Sequence, residues 1–261
     1  MNITPEILPT PDSIGEAVAD RIVALIEAKG RRPFLLGCPS GRTAVPVYAA
    51  LARRVAAGAD LSTLVIVMMD DYVLENEDGT FQIVDPDASY SCLGFARRDI
   101  LSPLTAAAAA AGVPAPTEIW TADPKNPSDY DVRIESAGGI DLFILASGDS
   151  DGHVAFNQPG TDRSAGTHLV DLGEATRRDN MDTFPEFVEL DMVPRKGITV
   201  GIDTIARLSE SVIMILTGDH KQTAFTRITT ADAYDATWPA TIVTECRNPL
   251  ILADMAADVR V

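Results

Sequence analysis

A histidine stands between carboxylates in the glycine-rich segment 147–160. Asp151 precedes His153 by two residues, and the chain has 3 histidines among its 261 residues. An imidazole titrates near neutral pH, and a carboxylate beside it can orient it for proton transfer. The pair therefore predicts acid–base chemistry at this loop. The alternative is an ordinary turn, because Asp and Gly are also the residues that build turns.

Two other loops carry groups that suit an anionic ligand. Ser40, Gly41, Arg42 and Thr43 precede a predicted helix, and the backbone N–H groups at a helix N-terminus favour an anion. Lys221 comes shortly after a predicted strand and could hold a phosphate as a point charge. A tight turn and an ordinary exposed lysine are the structural alternatives for these two loops.

Two adjacent carboxylates, Asp70 and Asp71, follow the predicted strand at 64–69. Neighbouring carboxyl groups raise one another's pKa, and a carboxyl group with a raised pKa can take up and return protons near neutral pH. The alternative role is that of a helix N-cap, a position at which Asp is favoured.

The apolar pattern predicts the elements that position these loops. Buried strands are expected at 34–37, 64–69, 140–146, 211–216 and 249–254. Helical spacing is found at 12–29, 45–57, 89–100, 128–137 and 203–208. The alternation of strands and helices indicates an α/β protein, with a mostly parallel, doubly wound sheet, helices on both faces and right-handed crossovers.

Each of the loops with chemical groups follows a predicted strand. Open α/β sheets bind ligands at the carboxyl ends of their strands, so we expect the loops to form one site. The polar, turn-rich segment 75–87 is expected to be a loop or flap. No linker-like stretch interrupts the pattern, which predicts a single domain over residues 1–261.

Composition limits the partners and the compartment. The formal net charge of −17 disfavours nucleic acid and anionic membranes, since both need a positive surface. No apolar run is long enough for a bilayer span, and the N-terminus lacks the features of a signal peptide. Cys38, Cys92 and Cys246 are widely spaced, which predicts core thiols in a reducing cytoplasm rather than disulfides or metal ligands.

Taken together, the motifs resemble those of the glucosamine-6-phosphate deaminase/isomerase family, a relative of the 6-phosphogluconolactonases. The resemblance extends from about residue 14 to residue 253. The motifs are Gly-Cys-Pro-Ser-Gly-Arg-Thr at 37–43, Met-Asp-Asp-Tyr at 69–72, Ser-Tyr at 89–90, Asp-Gly-His-Val-Ala-Phe-Asn within 147–160, Ile-Thr-Val-Gly-Ile at 198–202 and Gly-Asp-His-Lys at 218–221. The Ala-Phe-Asn-x-Pro ending of the histidine block is similar to the deaminase branch.

The resemblance implies a Rossmann-like, single-domain fold that is often a homo-oligomer. It implies that Asp70 shuttles a proton between C1 and C2 of a sugar and that His153, with Asp151 beside it, opens the sugar ring. It assigns Ser40, Gly41, Thr43 and Lys221 to the phosphate site, and Arg42 lies in the same loop. The implied reaction converts an aldose to a ketose and releases ammonia, with no cofactor and no metal. The implied partner is a small sugar or sugar phosphate.

The chain departs from the family's pattern at three positions. Gln158 stands where the family has a glutamate, Asp182 stands near the place of an active-site arginine, and Arg42 replaces a small residue. Arg177 and Arg178 are candidates to replace the missing arginine, and Asp71 and Tyr90 are further candidate site residues.

These departures lead to the hypothesis of an altered substrate, a sugar or amino sugar whose anionic group is held differently or is absent. Two other functions stay open from the sequence. The first is a lactonase acting on a sugar-acid lactone, in which His153 activates water. The second is a sugar-binding regulator without activity, although such a protein would need neither Asp70 nor His153.

Overall fold

A parallel sheet forms the centre of the molecule. The structure, a computed structural model, describes residues 3–260; Met1, Asn2, Val261 and the side chain of Asp182 lie outside the described residues. The strands, in chain order, are β1 (Glu6–Leu8), β2 (Phe34–Cys38), β3 (Leu64–Met68), β4 (Asp70–Glu75), β5 (Phe81–Ile83), β6 (Glu118–Trp120), β7 (Leu142–Ala146), β8 (His168–Asp171), β9 (Lys196–Thr199), β10 (Val212–Leu216) and β11 (Pro249–Asp254).

Helices connect the strands of this sheet. They are α1 (Pro11–Lys29), α2 (Val45–Ala56), α3 (Cys92–Phe95), α4 (Ser102–Ala111), α5 (Ser128–Ser136), α6 (Glu174–Thr183), α7 (Ile202–Leu208) and α8 (Gln222–Thr230). A π-helical segment, Ala96–Leu101, joins α3 to α4. Short 3₁₀ turns lie at Arg42–Ala44, Leu190–Met192, Asp219–Lys221 and Pro239–Glu245. Among the described helices, none has the length and hydropathy of a membrane span.

The order of the central sheet creates a switch point. Its strands lie in the order β1-β11-β10-β7-β2-β3-β6, and every neighbouring pair is parallel. The chain builds outwards from β2 to β6 and then returns to β7, beside β2. Because the winding direction reverses between β2 and β7, a crevice forms at their carboxyl ends, which is where doubly wound folds bind ligands.

Side chains from both faces of this sheet are buried. Leu35 packs into a cluster on one face, whereas Phe34 and Leu36 pack into a cluster on the other, as the two-residue period of a strand requires. A sheet buried on both faces has apolar residues throughout its strands, which is why continuous apolar runs marked β2, β3, β7 and β10. The expected α/β, doubly wound fold class is confirmed.

A second sheet branches from the end of β3. It has the order β5-β4-β9-β8 and is antiparallel. The expected strand at 64–69 therefore ends at Met68, and Asp70 begins a new strand. The expected loop at 75–87 contains β5, and β1, β8 and α6 had no counterpart in the sequence prediction. These elements are short or polar, so they lack the long apolar pattern that identifies buried elements.

The helix expected at 89–100 begins later than predicted, at Cys92. Ser91 is its N-cap, and the Ser91 hydroxyl accepts a hydrogen bond from the backbone N–H of Gly94 at 3.0 Å. A serine at this position satisfies a backbone donor that the first helical turn leaves unpaired. The helix therefore begins directly beside the start of β4.

Candidate active site

A cavity of about 360 Å³ opens at the carboxyl ends of β2, β3, β7 and β10. The loops after these four strands form its wall, and α6 closes one side. The cavity lies at the switch point of the sheet, and its volume is in the range of small-molecule sites. The structure brings together in its lining Asp70, His153, Lys221 and the loop formed by Ser40, Gly41, Arg42 and Thr43.

Asp70 begins β4 and contributes its carboxyl group to this cavity. Burial raises the pKa of Asp70 to about 7, with a further contribution from the charge of Asp71, while Cys92 and His153 act to lower it. The Sγ of Cys92 is 3.5 Å from Oδ1 of Asp70 and 3.1 Å from Oγ of Ser40. A carboxyl group with this pKa can exchange protons with a ligand near neutral pH.

Asp71 has a different environment from its neighbour. It is buried, and its carboxylate accepts hydrogen bonds from the backbone N–H groups of Tyr72, Cys92 and Leu93 at 2.8 to 2.9 Å. Successive residues of a strand point to opposite faces. Asp71 therefore joins β4 to the first turn of α3. The helix dipole also stabilises a carboxylate at this position.

His153 and Asp151 form a hydrogen-bonded pair at the cavity wall. Nδ1 of His153 lies 2.7 Å from Oδ1 of Asp151, which also accepts the backbone N–H of His153 at 3.1 Å. Burial acts to raise the pKa of Asp151, but the hydrogen bonds and charge of His153 outweigh it and hold the pKa below its usual value. Asp151 is thus suited to stay ionised and to orient the imidazole.

Small residues allow the backbone to approach this pair closely. A Cβ on Gly148 would collide with the ring of His153 and with the carboxylate of Asp151. Gly152 has φ 68°, and a Cβ there would collide with the ring of Trp238. Both glycines are therefore required for the shape of the loop, Gly148 by contact and Gly152 by contact and conformation.

An asparagine connects the same loop to the residue that follows β9 of the second sheet. Nδ2 of the buried Asn157 donates to the carbonyl oxygens of Val154 at 3.0 Å and Val200 at 2.7 Å. Ala155 adopts a left-handed conformation with φ 50°, which costs a non-glycine residue about 1 kcal/mol. Such strain persists where the surroundings over-determine the backbone, so the Val-Ala-Phe-Asn part of the motif serves to hold His153 in place.

Asp179 of α6 is a cavity residue that the sequence prediction missed. Asp151, His153 and Asp179 each offer a ligand atom, and these atoms lie within 4.8 Å of one another. Burial raises the pKa of Asp179, and the nearby His153 partly opposes this rise. The trio could also share a metal ion, since imidazole and carboxylate are common ligands. No apolar stripe marks this polar helix, so only its position in space reveals Asp179.

Lys221 is the buried cation of the cavity. The residue is 8% exposed, and Nζ donates to the carbonyl oxygen of Ser147 at 2.6 Å and to Oδ1 of Asp149. Arg42 is exposed at the cavity rim, in the loop that opens with Gly41 at φ 97°. The two cations therefore have different environments, one enclosed and paired with an acid, the other open to solvent.

The other candidate residues lie away from the cavity lining. Tyr90 packs against Tyr72 and Phe187, with ring centroids 5.6 and 4.8 Å apart. Gln158 accepts the backbone N–H of Gly173 at 2.7 Å and donates to the carbonyl oxygen of Asp171. Gln158 thus connects its loop to the segment that precedes α6.

The two candidate arginines of α6 also have other partners. The buried Arg177 donates to the backbone carbonyl oxygens of Leu190 and of Val193, the latter at 3.2 Å. Arg178 is exposed and pairs with Glu174 at 2.5 Å. Asp182, at the position that the resemblance gives to an arginine, lies in α6, and its side chain is outside the described residues.

Comparison with known proteins identifies the relatives of this chain. Residues 9–252 match the family described as glucosamine-6-phosphate isomerases/6-phosphogluconolactonase. The chain is 39% identical over 128 residues to a glucosamine-6-phosphate deaminase of Shouchella clausii (strain KSM-K16), and the match covers 49% of each chain. It is 33% identical over 243 residues to a glucosamine-6-phosphate deaminase of Streptomyces avermitilis, which covers 92% of this chain and 82% of that protein.

A solved structure has the same fold. It is that of a monomeric glucosamine-6-phosphate deaminase, which superposes with a TM-score of 0.82 at 21% sequence identity and covers 98% of each chain. The likeness extends over both sheets described above, since it includes nearly every residue of the chain.

Proposed function

The chain belongs to the family of glucosamine-6-phosphate isomerases and 6-phosphogluconolactonases, and on that basis we propose that it is an amino-sugar phosphate deaminase/isomerase. The reaction opens the ring of a hexosamine and moves a proton from C2 to C1, which gives an imine at C2. Water then hydrolyses this imine to the ketose and ammonia. The observation that carries this proposal is the presence in the lining of one cavity of both Asp70, whose pKa is raised to about 7, and His153.

Asp70 acts as the base of the isomerisation. An aldose–ketose conversion needs one group that removes a proton from C2 and delivers one to C1. A carboxylate with a pKa near the working pH does both, because it is a strong enough base to accept the proton and a strong enough acid to return it. Burial against the start of α3 provides this pKa.

His153 acts in ring opening, where a proton is transferred at the ring oxygen and at the C1 hydroxyl. Asp151 orients the imidazole through its 2.7 Å contact with Nδ1. Asp179 supplies a second carboxylate beside the ring, which offsets the loss of the family's glutamate at Gln158. A carboxylate near the ring stabilises the imidazolium that forms during the reaction.

The remaining properties are proposed from the same features. Arg42 and the backbone N–H groups of its loop bind the anionic or polar end of the sugar. We propose a single-domain enzyme of the cytoplasm, as three buried free thiols, Cys38, Cys92 and Cys246, suit a reducing compartment. Its partner is a small sugar or sugar phosphate, and no cofactor is needed, because proton transfers and the addition of water to the C2 imine suffice for the conversion.

An assay of ammonia release tests the function. Purified protein is incubated with glucosamine 6-phosphate, other amino-sugar phosphates and unphosphorylated amino sugars, and ammonia and ketose are measured together. Equal amounts of both products from one substrate support the proposal. Turnover of glucosamine 6-phosphate at ordinary enzyme rates would remove the altered-substrate hypothesis while leaving the deaminase function in place.

A lactonase is the second candidate, and the inclusion of 6-phosphogluconolactonase in the family description favours it. In that reaction His153 would activate water for attack on the lactone carbonyl. Release of acid from 6-phosphogluconolactone without ammonia release from any amino sugar would favour this candidate. Ligand-induced thermal stabilisation without any turnover would instead indicate a binding protein.

A further inference from the structure

We propose that Asp149 is an internal counter-anion of Lys221 that competes with a phosphate group for the lysine and so lowers the affinity of the cavity for phosphate. The proposal rests on the proposed function and names a residue that sets how tightly the same site binds its phosphorylated ligand. It is carried by the contacts of Lys221 with the loop after β7 and by those of the turn after β10.

The ammonium of Lys221 already has an anionic partner in the chain. Nζ donates to Oδ1 of Asp149 and to the carbonyl oxygen of Ser147. Both acceptors come from the loop after β7, so this loop and the turn after β10 are joined through the lysine. A phosphate that approaches Lys221 must displace the carboxylate or share the ammonium with it, and two anions on one cation repel each other.

Part of the backbone of the same turn is also paired. The N–H of Gly218, two residues after the end of β10, donates to both carboxylate oxygens of the buried Asp254 at 3.0 and 3.1 Å. Lys221 donates its own backbone N–H to the carbonyl oxygen of Gly218 at 3.0 Å. These two amides of the turn therefore have partners within the chain.

Three carboxyl groups line the cavity, those of Asp70, Asp149 and Asp179. Of these three, Asp149 is the one whose carboxylate accepts a hydrogen bond from Lys221. The charge of Asp149 therefore acts at the shortest range on a phosphate that binds at this lysine.

Removal of the Asp149 charge gives the direct test. Isothermal titration calorimetry measures the affinities of glucosamine, glucosamine 6-phosphate and inorganic phosphate for the wild type and for Asp149→Asn. We expect the variant to bind glucosamine 6-phosphate and phosphate about tenfold or more tightly than the wild type. Its affinity for glucosamine should not increase.

Two further variants make the result specific. In the background Lys221→Met, the substitution of Asp149 should give no gain in phosphate affinity, because the lysine through which it acts is gone. Glu174→Gln, which removes an exposed acid of α6, is the matched control and should leave all three affinities unchanged. If Asp149→Asn does not fold, Asp149→Gly is measured in its place.

The binding experiment separates this proposal from the proposed function. Phosphate affinity in Asp149→Asn that is equal to or lower than that of the wild type overturns the role of Asp149, whatever the catalytic activity. A gain in phosphate affinity that persists with Lys221→Met also overturns it. Absence of ammonia release from every sugar would remove the deaminase function and leave the measured effect of Asp149 on phosphate binding intact.

Discussion

The two ends of the central sheet each have a concave site, and the two differ in how their charges are satisfied. The cavity at the carboxyl ends of the strands has a volume of about 360 Å³, and a groove at the amino ends has about 420 Å³. Both are lined by acidic and basic side chains. Size and composition therefore do not distinguish the catalytic end from the structural end.

At the amino end the carboxylate has fixed partners. Asp141 lies before β7, pairs with Lys29 at 2.5 Å and accepts the backbone N–H of Leu35 at 2.7 Å. Its own backbone carbonyl oxygen accepts a hydrogen bond from the hydroxyl of Ser211 at 2.7 Å. Asp141 thus connects α1 and the strands β2, β7 and β10. With these partners its role is structural, to hold the four elements together.

At the carboxyl end, two acids of the cavity, Asp70 and Asp179, have few partners that stabilise their charged forms. Burial raises the pKa of Asp70 and of Asp179, which means that the protein does not fully stabilise their charged forms. Such groups gain from an incoming proton or cation. Perturbed carboxyl groups in a cleft are typical of functional sites, whereas satisfied ones are typical of structure.

The direction of the chain accounts for the contrast. In a parallel sheet with connecting helices, the helices begin near the carboxyl ends of the strands and end near the amino ends. Helix N-termini, with unpaired N–H groups, therefore face the cavity, as α2 and α8 do after β2 and β10. Lys29, the last residue of α1, lies at the negative end of a helix dipole and pairs there with Asp141.

The largest expected effect is on catalysis at the carboxyl end. Asp70→Asn should lower kcat by about 10²–10⁴-fold, because an amide cannot accept the proton that the isomerisation moves. The thermal midpoint should not fall, which differential scanning calorimetry will check. Turnover close to that of the wild type would remove Asp70 from the mechanism.

The same variant should also change the pH dependence of stability. The carboxyl of Asp70 has a pKa of about 7 in the native protein, against its ordinary value of 3.8. Between these values the native state binds more protons, so the free energy of unfolding falls as pH rises towards 7. Between about pH 5 and about pH 8, the free energy of unfolding of Asp70→Asn should rise by about 3 kcal/mol relative to that of the wild type. Urea unfolding at both pH values provides the measurement.

An equal pH dependence in the two proteins would show that the native pKa of Asp70 is not raised. The acidic groups common to both proteins cancel in the difference between them. Thermal midpoints at the same two pH values provide an independent check.

At the amino end, the corresponding substitution should affect stability and not chemistry. Asp141→Asn leaves the ammonium of Lys29 without its counterion and weakens the bond to the Leu35 N–H. We expect the free energy of unfolding to fall by about 2 kcal/mol, measured by urea unfolding. The kcat of the folded fraction should equal that of the wild type, and a large loss of kcat would contradict the division between the two ends.

The smallest expected effect concerns the second carboxylate beside His153. Asp179→Asn should lower kcat about tenfold, because one of two acids that stabilise the imidazolium is lost. Steady-state ammonia release provides the measurement. Glu174→Gln, on the same helix and paired with the exposed Arg178, is the control and should have the activity of the wild type. Equal activity of Asp179→Asn would leave Asp151 as the only carboxylate partner.

Much of the fold could be predicted because its signals are local. The strands β2, β3, β7 and β10 are buried on both faces, and such strands read as continuous apolar runs. The short elements β1 and β5 and the polar helix α6 could not be found in this way, since β5 and α6 lack a long apolar pattern and β1 owes its conformation to pairing with β11, a distant part of the chain. The predicted helix at 89–100 was displaced for the same reason, as Asp71 and Ser91 together determine where α3 begins.

The same distinction between local and distant contacts applies to the candidate site. Local sequence was enough to predict the alternation that builds a doubly wound sheet, the loops that meet at its carboxyl edge and the pairing of Asp151 with His153, since each of these depends on residues close together in the chain. The folded structure was needed to show that Asp70 faces the cavity while Asp71 holds α3, that Asp149 pairs with Lys221 and that Asp179 lies beside His153. These outcomes depend on charges brought together from distant segments, and it is the burial and proximity of those charges that determine which groups remain reactive.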